Sequence, residues 1–213
     1  MNVSEKMKIN PVTCLQDANI YDAEEIMERE GVNHLPVLDH EGNLVGIISD
    51  KDLLTATPNK GTNLSIHKMA YMLSKLSVKD VMTTEVVTIY PTAAVEEAAR
   101  IMVDNEIACL PVVDSGKLVG IITKTDMYKI LLELFGARYY GIKAYCIVKD
   151  KPGIIAEITS ELAKKGADIV AIGSLKKPGG EGVVTIKVQG IDQDELRDIL
   201  SPMVARIVDI REM

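Results

Sequence analysis

The chain has 213 residues, 47% of them hydrophobic, and a formal net charge of −7. That length allows one large domain or two small ones, and Lys and Arg are interspersed among Asp and Glu, which argues against sequence-independent nucleic-acid binding. No apolar run approaches the ~18 residues of a membrane span, and the polar residues 1–10 hold no apolar signal core. Cys14, Cys109 and Cys146 stand singly in apolar segments without CxxC spacing. The expectation is a soluble cytoplasmic protein with reduced, buried thiols, no metal site and no membrane or nucleic-acid partner.

Taken in chain order, residues 11–15 read as a short strand. A helix follows over about 18–30, with Ile20, Ala23, Ile26 and Met27 on one face, Asp17 placed to cap its start and Gly31 to end it. Strands at 35–39 and 44–48 flank the turn His40-Glu41-Gly42-Asn43, and a second helix opens at Ser49. Residues 57–63 read as a loop, and 64–76 as a helix bridging what comes before and after.

The pattern then repeats. Residues 3–40 align without gaps on 78–115, and 42–53 on 116–127, with 19 identities in 50 pairs. The identities fall in blocks, Leu35-Pro36-Val37 with Leu110-Pro111-Val112 and 44–48 with 118–122. A period of this length marks a duplicated β-α-β-β-α unit and two similar sites facing each other. After the second copy comes the apolar stripe of Met127, Ile130, Leu131, Leu132, Leu134 and Phe135, expected at subunit contacts or, in the alternative reading, in the internal core. The glycine-bracketed segment 135–141 reads as a domain boundary.

From 142 onward the order is βαββαβ, the split βαβ arrangement of ferredoxin-like domains. Strands are expected at 142–148, 168–176, 182–189 and 206–211, and helices at 154–165 and from Asp192, where Glu195 completes a capping box.

The motif that carries chemistry ends the last strand of each copy: Gly46-Ile47-Ile48-Ser49-x-x-Asp52, echoed by Gly120-Ile121-Ile122-Thr123-x-x-Asp126. Ser/Thr-x-x-Asp is a capping box, worth about 1 kcal/mol. The same carboxylate can accept two hydrogen bonds from vicinal ribose hydroxyls, beside a helix start that favours phosphate oxygens. Lys51 and Lys124 stand nearby, without a dense Arg cluster.

With Val3-x-x-x-Met7 and Val78-x-x-x-Met82, these motifs make residues 1–136 resemble a tandem of CBS domains, a Bateman module. The resemblance implies that Asp52 and Asp126 bind ribose beside Ser49 and Thr123. It places Thr13 and Thr88 at strand ends lining a cleft between the copies. It also puts Asn33-His34-Leu35-Pro36 and Ala108-Cys109-Leu110-Pro111 at base- and phosphate-facing positions. His34 can donate to a phosphate and Cys109 cannot do so comparably, which implies one site better suited to phosphates than the other. Residues 142–213 resemble an ACT domain through Asp150-Lys151-Pro152-Gly153-Ile154-Ile155, so Asp150, Pro152, Gly153, Ile154 and Ile155 would hold a small ligand. In the alternative reading Asp150 caps, Pro152 starts the helix and Gly153 allows close packing. The whole order is similar to acetoin-utilization B-type proteins.

The expected fold is therefore α+β: CBS repeats at 1–56 and 78–136, a linker at 57–77, and an ACT domain at 142–213. HExxH, GxSxG, P-loop and GxGxxG motifs are absent from the sequence, so the chain is not expected to be an enzyme. The expectation is a homodimeric regulatory sensor. It would require no cofactor, bind AMP, ADP, ATP or S-adenosylmethionine between the repeats, and act on a regulated enzyme. The alternative is a structural adaptor with degenerate ligand sites.

Overall fold

The structure, a computed structural model, describes residues 1–56 and 75–213. The loop expected at 57–63 and all but the end of the helix expected at 64–76 lie outside the described residues. The chain divides into two compact units, 1–127 and 128–213. Among the described residues no helix is long and apolar enough to cross a membrane.

In the first unit, the first repeat holds strands β1 (Lys8–Ile9) and β2 (Cys14–Leu15), helix α1 (Ile20–Glu30), strands β3 (His34–Leu38) and β4 (Leu44–Ser49), and helix α2 (Asp50–Ala56). The second repeat holds α3 (Val95–Asp104), β5 (Cys109–Asp114), β6 (Lys117–Thr123) and α4 (Lys124–Leu134). A single 3-10 turn opens each repeat, at Val3–Glu5 and Val78–Asp80. Ile89 bridges Val112 in parallel where the first repeat has β2 beside β3.

The apolar positions read from the sequence face inward. Ile20, Ala23 and Met27 of α1 pack on Leu35, Val37 and Ile48 of the sheet, and Val95, Ala98 and Met102 are buried likewise in α3. Gly31 ends α1 in the left-handed conformation. The start is capped by Asn19, not Asp17: its side chain accepts from the Tyr21 N–H at 2.9 Å. The helix begins two residues later than its apolar spacing suggests, and Asp17 instead meets His40 at 3.1 Å.

The repeats are not separate β-α-β-β-α units. Each sends its leading segment across to the other. Lys8 and Ile9 pair antiparallel with Ile121 and Gly120, completing the sheet β1-β6-β5, and Thr83 pairs with Ile47 at the edge of β4. The backbone repeats the exchange: Val3 N–H donates to Ala93 O at 2.9 Å and Val78 N–H to Ala18 O at 2.8 Å. Val3 and Val78 are fully buried, each contributing roughly 1.5 kcal/mol or more. Met7 covers Gly120 and Met82 covers Gly46, so closely that a Cβ on either glycine would collide with the methionine sulfur.

The second unit takes in the end of α4, then β7 (Ile142–Lys149), α5 (Ile154–Lys164), β8 (Asp168–Lys176), β9 (Glu181–Gln189), α6 (Gln193–Leu200) and β10 (Arg206–Glu212). The strands form an antiparallel sheet in the order β10-β7-β9-β8, the ferredoxin-like βαββαβ order. Ile158, Leu162, Leu196 and Leu200 pack from the helices on Ala144, Cys146, Val184 and Ile186. Asp192 and Glu195 form the expected capping box. The segment 135–141 packs into this unit: the Phe135 ring lies over Gly173, and buried Lys187 donates to Gly136 O at 3.2 Å. Gly153 precedes α5 at φ 89° with open space where a Cβ would stand. Its role is the left-handed turn rather than close packing, and no side chain caps α5 there.

Gly46→Val should force Met82 aside and destabilise the protein by about 1–3 kcal/mol in urea denaturation. A midpoint unchanged from wild type would show that the crossing is loosely packed.

Candidate functional site

The geometry begins where β4 ends. Ser49 is the last residue of the strand, and α2 starts at once. Both the Ser49 N–H (2.8 Å) and its hydroxyl (2.7 Å) donate to Asp52 Oδ2, and Asp52 N–H donates back to Ser49 Oγ at 3.3 Å. Thr123 and Asp126 repeat this at the start of α4, with 3.0, 2.7 and 3.3 Å. The capping box is therefore real in both copies. At Asp52 it occupies one oxygen, and among the described residues no hydrogen bond is made by Oδ1.

A cavity of about 410 Å³ opens beside this turn. The first repeat supplies His34, Ile47, Ser49 and residues 50–52; the second supplies Thr83, residues 85–87 and 106–109, and Pro111. The site thus spans both repeats, and the crossing segment brings residues 83–87 to it. His34, Ser49, Asp52, Cys109 and Pro111 come together here. Pro36, Thr123 and Asp126 stand at the positions related to Pro111, Ser49 and Asp52 by the internal repeat. Thr13 and Thr88 also correspond to each other, and Thr88 falls one residue beyond Val87 of the lining. His34 and Cys109, expected to distinguish two sites, line this one cavity together.

Glu85, Val86, Val87, Glu106 and Ile107 line the cavity without having been singled out in the sequence. One signal was available for Glu106. It aligns with Gly31, and like Gly31 (φ 62°) it takes a left-handed backbone, φ 55°, which is uncommon for a non-glycine residue.

Burial pushes the His34 imidazole below its usual pKa, against the opposing pull of Asp50 and Asp52. Near neutral pH it is an uncharged ring offering one N–H. Burial also drives the Cys109 thiol up to about 12, so it is neither a thiolate nor a useful phosphate donor. Among the described residues no group of three His, Cys, Asp or Glu side chains could hold a metal ion.

In the second unit, Asp150, Pro152 and Gly153 are exposed, with Asp150 at 3.6 Å from Lys176. Ile154 is in the core and Ile155 packs against it. A larger furrow of about 870 Å³ runs between α5 and α6, and none of these five residues lines it. Two of its carboxylates, Glu157 and Glu161, are already paired with Lys151 and Lys164.

A family model described as the CBS domain matches residues 3–59 and 78–133, just over half of the chain. Among solved structures, one from Vibrio cholerae carrying the name acetoin utilization protein (AcuB) is 33% identical, with a TM-score of 0.53 over 63% of this chain and 92% of that one. The CBS domain pair of protein MJ0100, in complex with 5′-methylthioadenosine and S-adenosyl-L-methionine, is 27% identical, with a TM-score of 0.52 over 65% of this chain and 98% of that one. CBSX2, a protein of Arabidopsis thaliana, solved in complex with AMP, is 31% identical, with a TM-score of 0.51 over 62% of this chain and 96% of that one.

His34 gives a pH test. With its folded-state pKa lowered, the unfolded chain takes up the proton first. Stability from this group is intact above about pH 6.5 and is lost as the pH falls through the folded value. Between about pH 7.5 and 5 the wild type should lose urea stability relative to His34→Gln. Parallel pH profiles would contradict the burial argument.

Proposed function

The chain belongs to the CBS domain family, and on that premise we propose that it is a non-catalytic sensor of adenosine-containing ligands. The observation that carries this reading is the cavity spanning the repeats, with Asp52 at its wall holding one carboxylate oxygen outside the capping box. That oxygen suits a ribose hydroxyl, and the apolar lining of Ile47, Val86, Val87 and Pro111 suits a purine. The AMP, S-adenosylmethionine and methylthioadenosine complexes of similar CBS pairs support the same ligand class. A ligand touching both repeats favours the arrangement that closes on it, and only that difference in affinity transmits a signal.

The second unit serves this sensor as an ACT-type module, either a second ligand site around Asp150, Pro152 and Gly153 or a dimerisation surface. Dimerisation is favoured by β8, a nine-residue strand at the sheet edge with Ile172 and Leu175 exposed; such an edge invites another strand. Leu131, Leu132 and Leu134 of α4 are exposed as well. A regulated enzyme, acting in the cytoplasm, would receive the output.

Titration with AMP, ADP, ATP and S-adenosylmethionine, by calorimetry and thermal shift, tests the sensor. At 100 times Kd a ligand should add about 2.7 kcal/mol of stability. Asp52→Ala or Asp126→Ala should remove binding at its own site while costing only about 1 kcal/mol in the apo protein. No binding of any of the four would defeat the reading and leave the adaptor alternative. Light scattering should give twice the 23.3 kDa of one chain, and Leu175→Glu should shift it towards one; a monomeric wild type would remove the dimer.

A further inference from the structure

We propose that the two repeat-related sites take adenosyl ligands of opposite charge: a neutral or cationic one beside Asp52, a phosphate-bearing one beside Asp126. The inference rests on the adenosyl reading above and deepens it. It starts from an imbalance in the Asp52 cavity. Asp50, Asp52, Glu85 and Glu106 stand there against a single ammonium, Lys51. A phosphate would enter that setting against four carboxylates, while a sulfonium or an ammonium would be drawn in.

The repeat relation gives the other site the opposite sign. Asp50 corresponds to Lys124, Thr83 to Lys8, Glu85 to Asn10 and Glu106 to Gly31. Only Asp52 keeps its carboxylate, as Asp126. Two backbone contacts support this correspondence. Lys8 is paired with Ile121 as Thr83 is with Ile47, and Lys124 N–H donates to Ala108 O at 2.9 Å as Asp50 N–H does to Asn33 O at 3.1 Å. The ribose frame of hydroxyl and carboxylate is thus common to both sites, set by hydrogen bonds of nearly equal length. By the repeat relation the charges around it are exchanged: among the described counterparts of the Asp52 lining, Lys8 and Lys124 stand with Asp126.

Glu106 adds weight. The chain places a carboxylate on a left-handed backbone where the first repeat uses glycine, and that residue lines the cavity. His34 does not offset the acidity, because burial favours its neutral form.

Calorimetry on the full chain decides the matter, with AMP and ATP as anionic probes, 5′-methylthioadenosine as the neutral one and S-adenosylmethionine as the cationic one. AMP binding should be lost in Asp126→Ala and kept in Asp52→Ala; S-adenosylmethionine should show the reverse. Charge exchanges at exposed or half-buried positions leave both capping carboxylates in place. Lys8→Thr with Lys124→Asp should weaken AMP and ATP by on the order of tenfold or more at low salt and leave S-adenosylmethionine unchanged. Asp50→Lys with Glu85→Asn should weaken S-adenosylmethionine to a similar degree. The proposal is overturned if AMP depends on Asp52 instead of Asp126, if both sites bind both ligands equally, or if the exchanges move neither affinity. Absence of binding by all four probes would overturn the sensor reading along with it.

Discussion

The reciprocal crossing of the leading segments is the constraint on which the first unit depends. Each sheet is finished by backbone from the other repeat, at Lys8–Ile121 and Thr83–Ile47. Val3 and Val78 are fully buried at the crossings. The sheet of the second repeat takes β1 from the first, and the sheet β2-β3-β4 of the first takes the Thr83 bridge from the second, so separating them would expose both valines and break hydrogen bonds on both sides. Gly46 and Gly120 belong to the same constraint, since only a missing Cβ lets Met82 and Met7 lie across the strands. The identical LVGII strands thus record a packing requirement met twice.

The crossing also creates the site. The segment after Thr83 carries Glu85, Val86 and Val87 to the turn between β4 and α2, where Ser49 and Asp52 are fixed by their own hydrogen bonds. Structure and the proposed recognition therefore share atoms. The capping box that starts α2 also aims a carboxylate into a cavity between two halves of one duplicated chain. Capping and ribose binding are compatible because the cap needs one oxygen and a carboxylate has two.

Much of this was legible in the sequence, for reasons that are local. The apolar spacing of Ile20, Ala23 and Met27, the left-handed Gly31 and the Asp192–Glu195 box each depend on neighbours within a few residues. So does the order of the second unit, whose strands expected at 142–148 and 168–176 run over Ile142–Lys149 and Asp168–Lys176. The crossing was not legible because Lys8–Ile9 is two residues long, too short for any period, and its partner lies over a hundred positions away. Asn19 took the cap from Asp17 because the chain turns into α1 later than its apolar spacing marks. Glu85 and Glu106 were passed over because charged residues in turns read as solvated until a cavity is found beside them. The weighting of His34 against Cys109 changed for a spatial reason: residues 75 apart in the chain line one cavity.

The crossing carries a further consequence for how the chain reaches this state. Lys8 and Ile9 emerge from synthesis long before Gly120 and Ile121 exist to receive them, and β4 must wait for Thr83. The first repeat can collapse on Leu35, Val37 and Ile48 early, but its leading segment stays unpaired until the second is nearly made. Pairings of such sequence separation slow folding, because the loop must close before the contacts reward it. Docking of the two repeats is thus expected late in the folding of the first unit, and the cavity spanning them would be assembled only then.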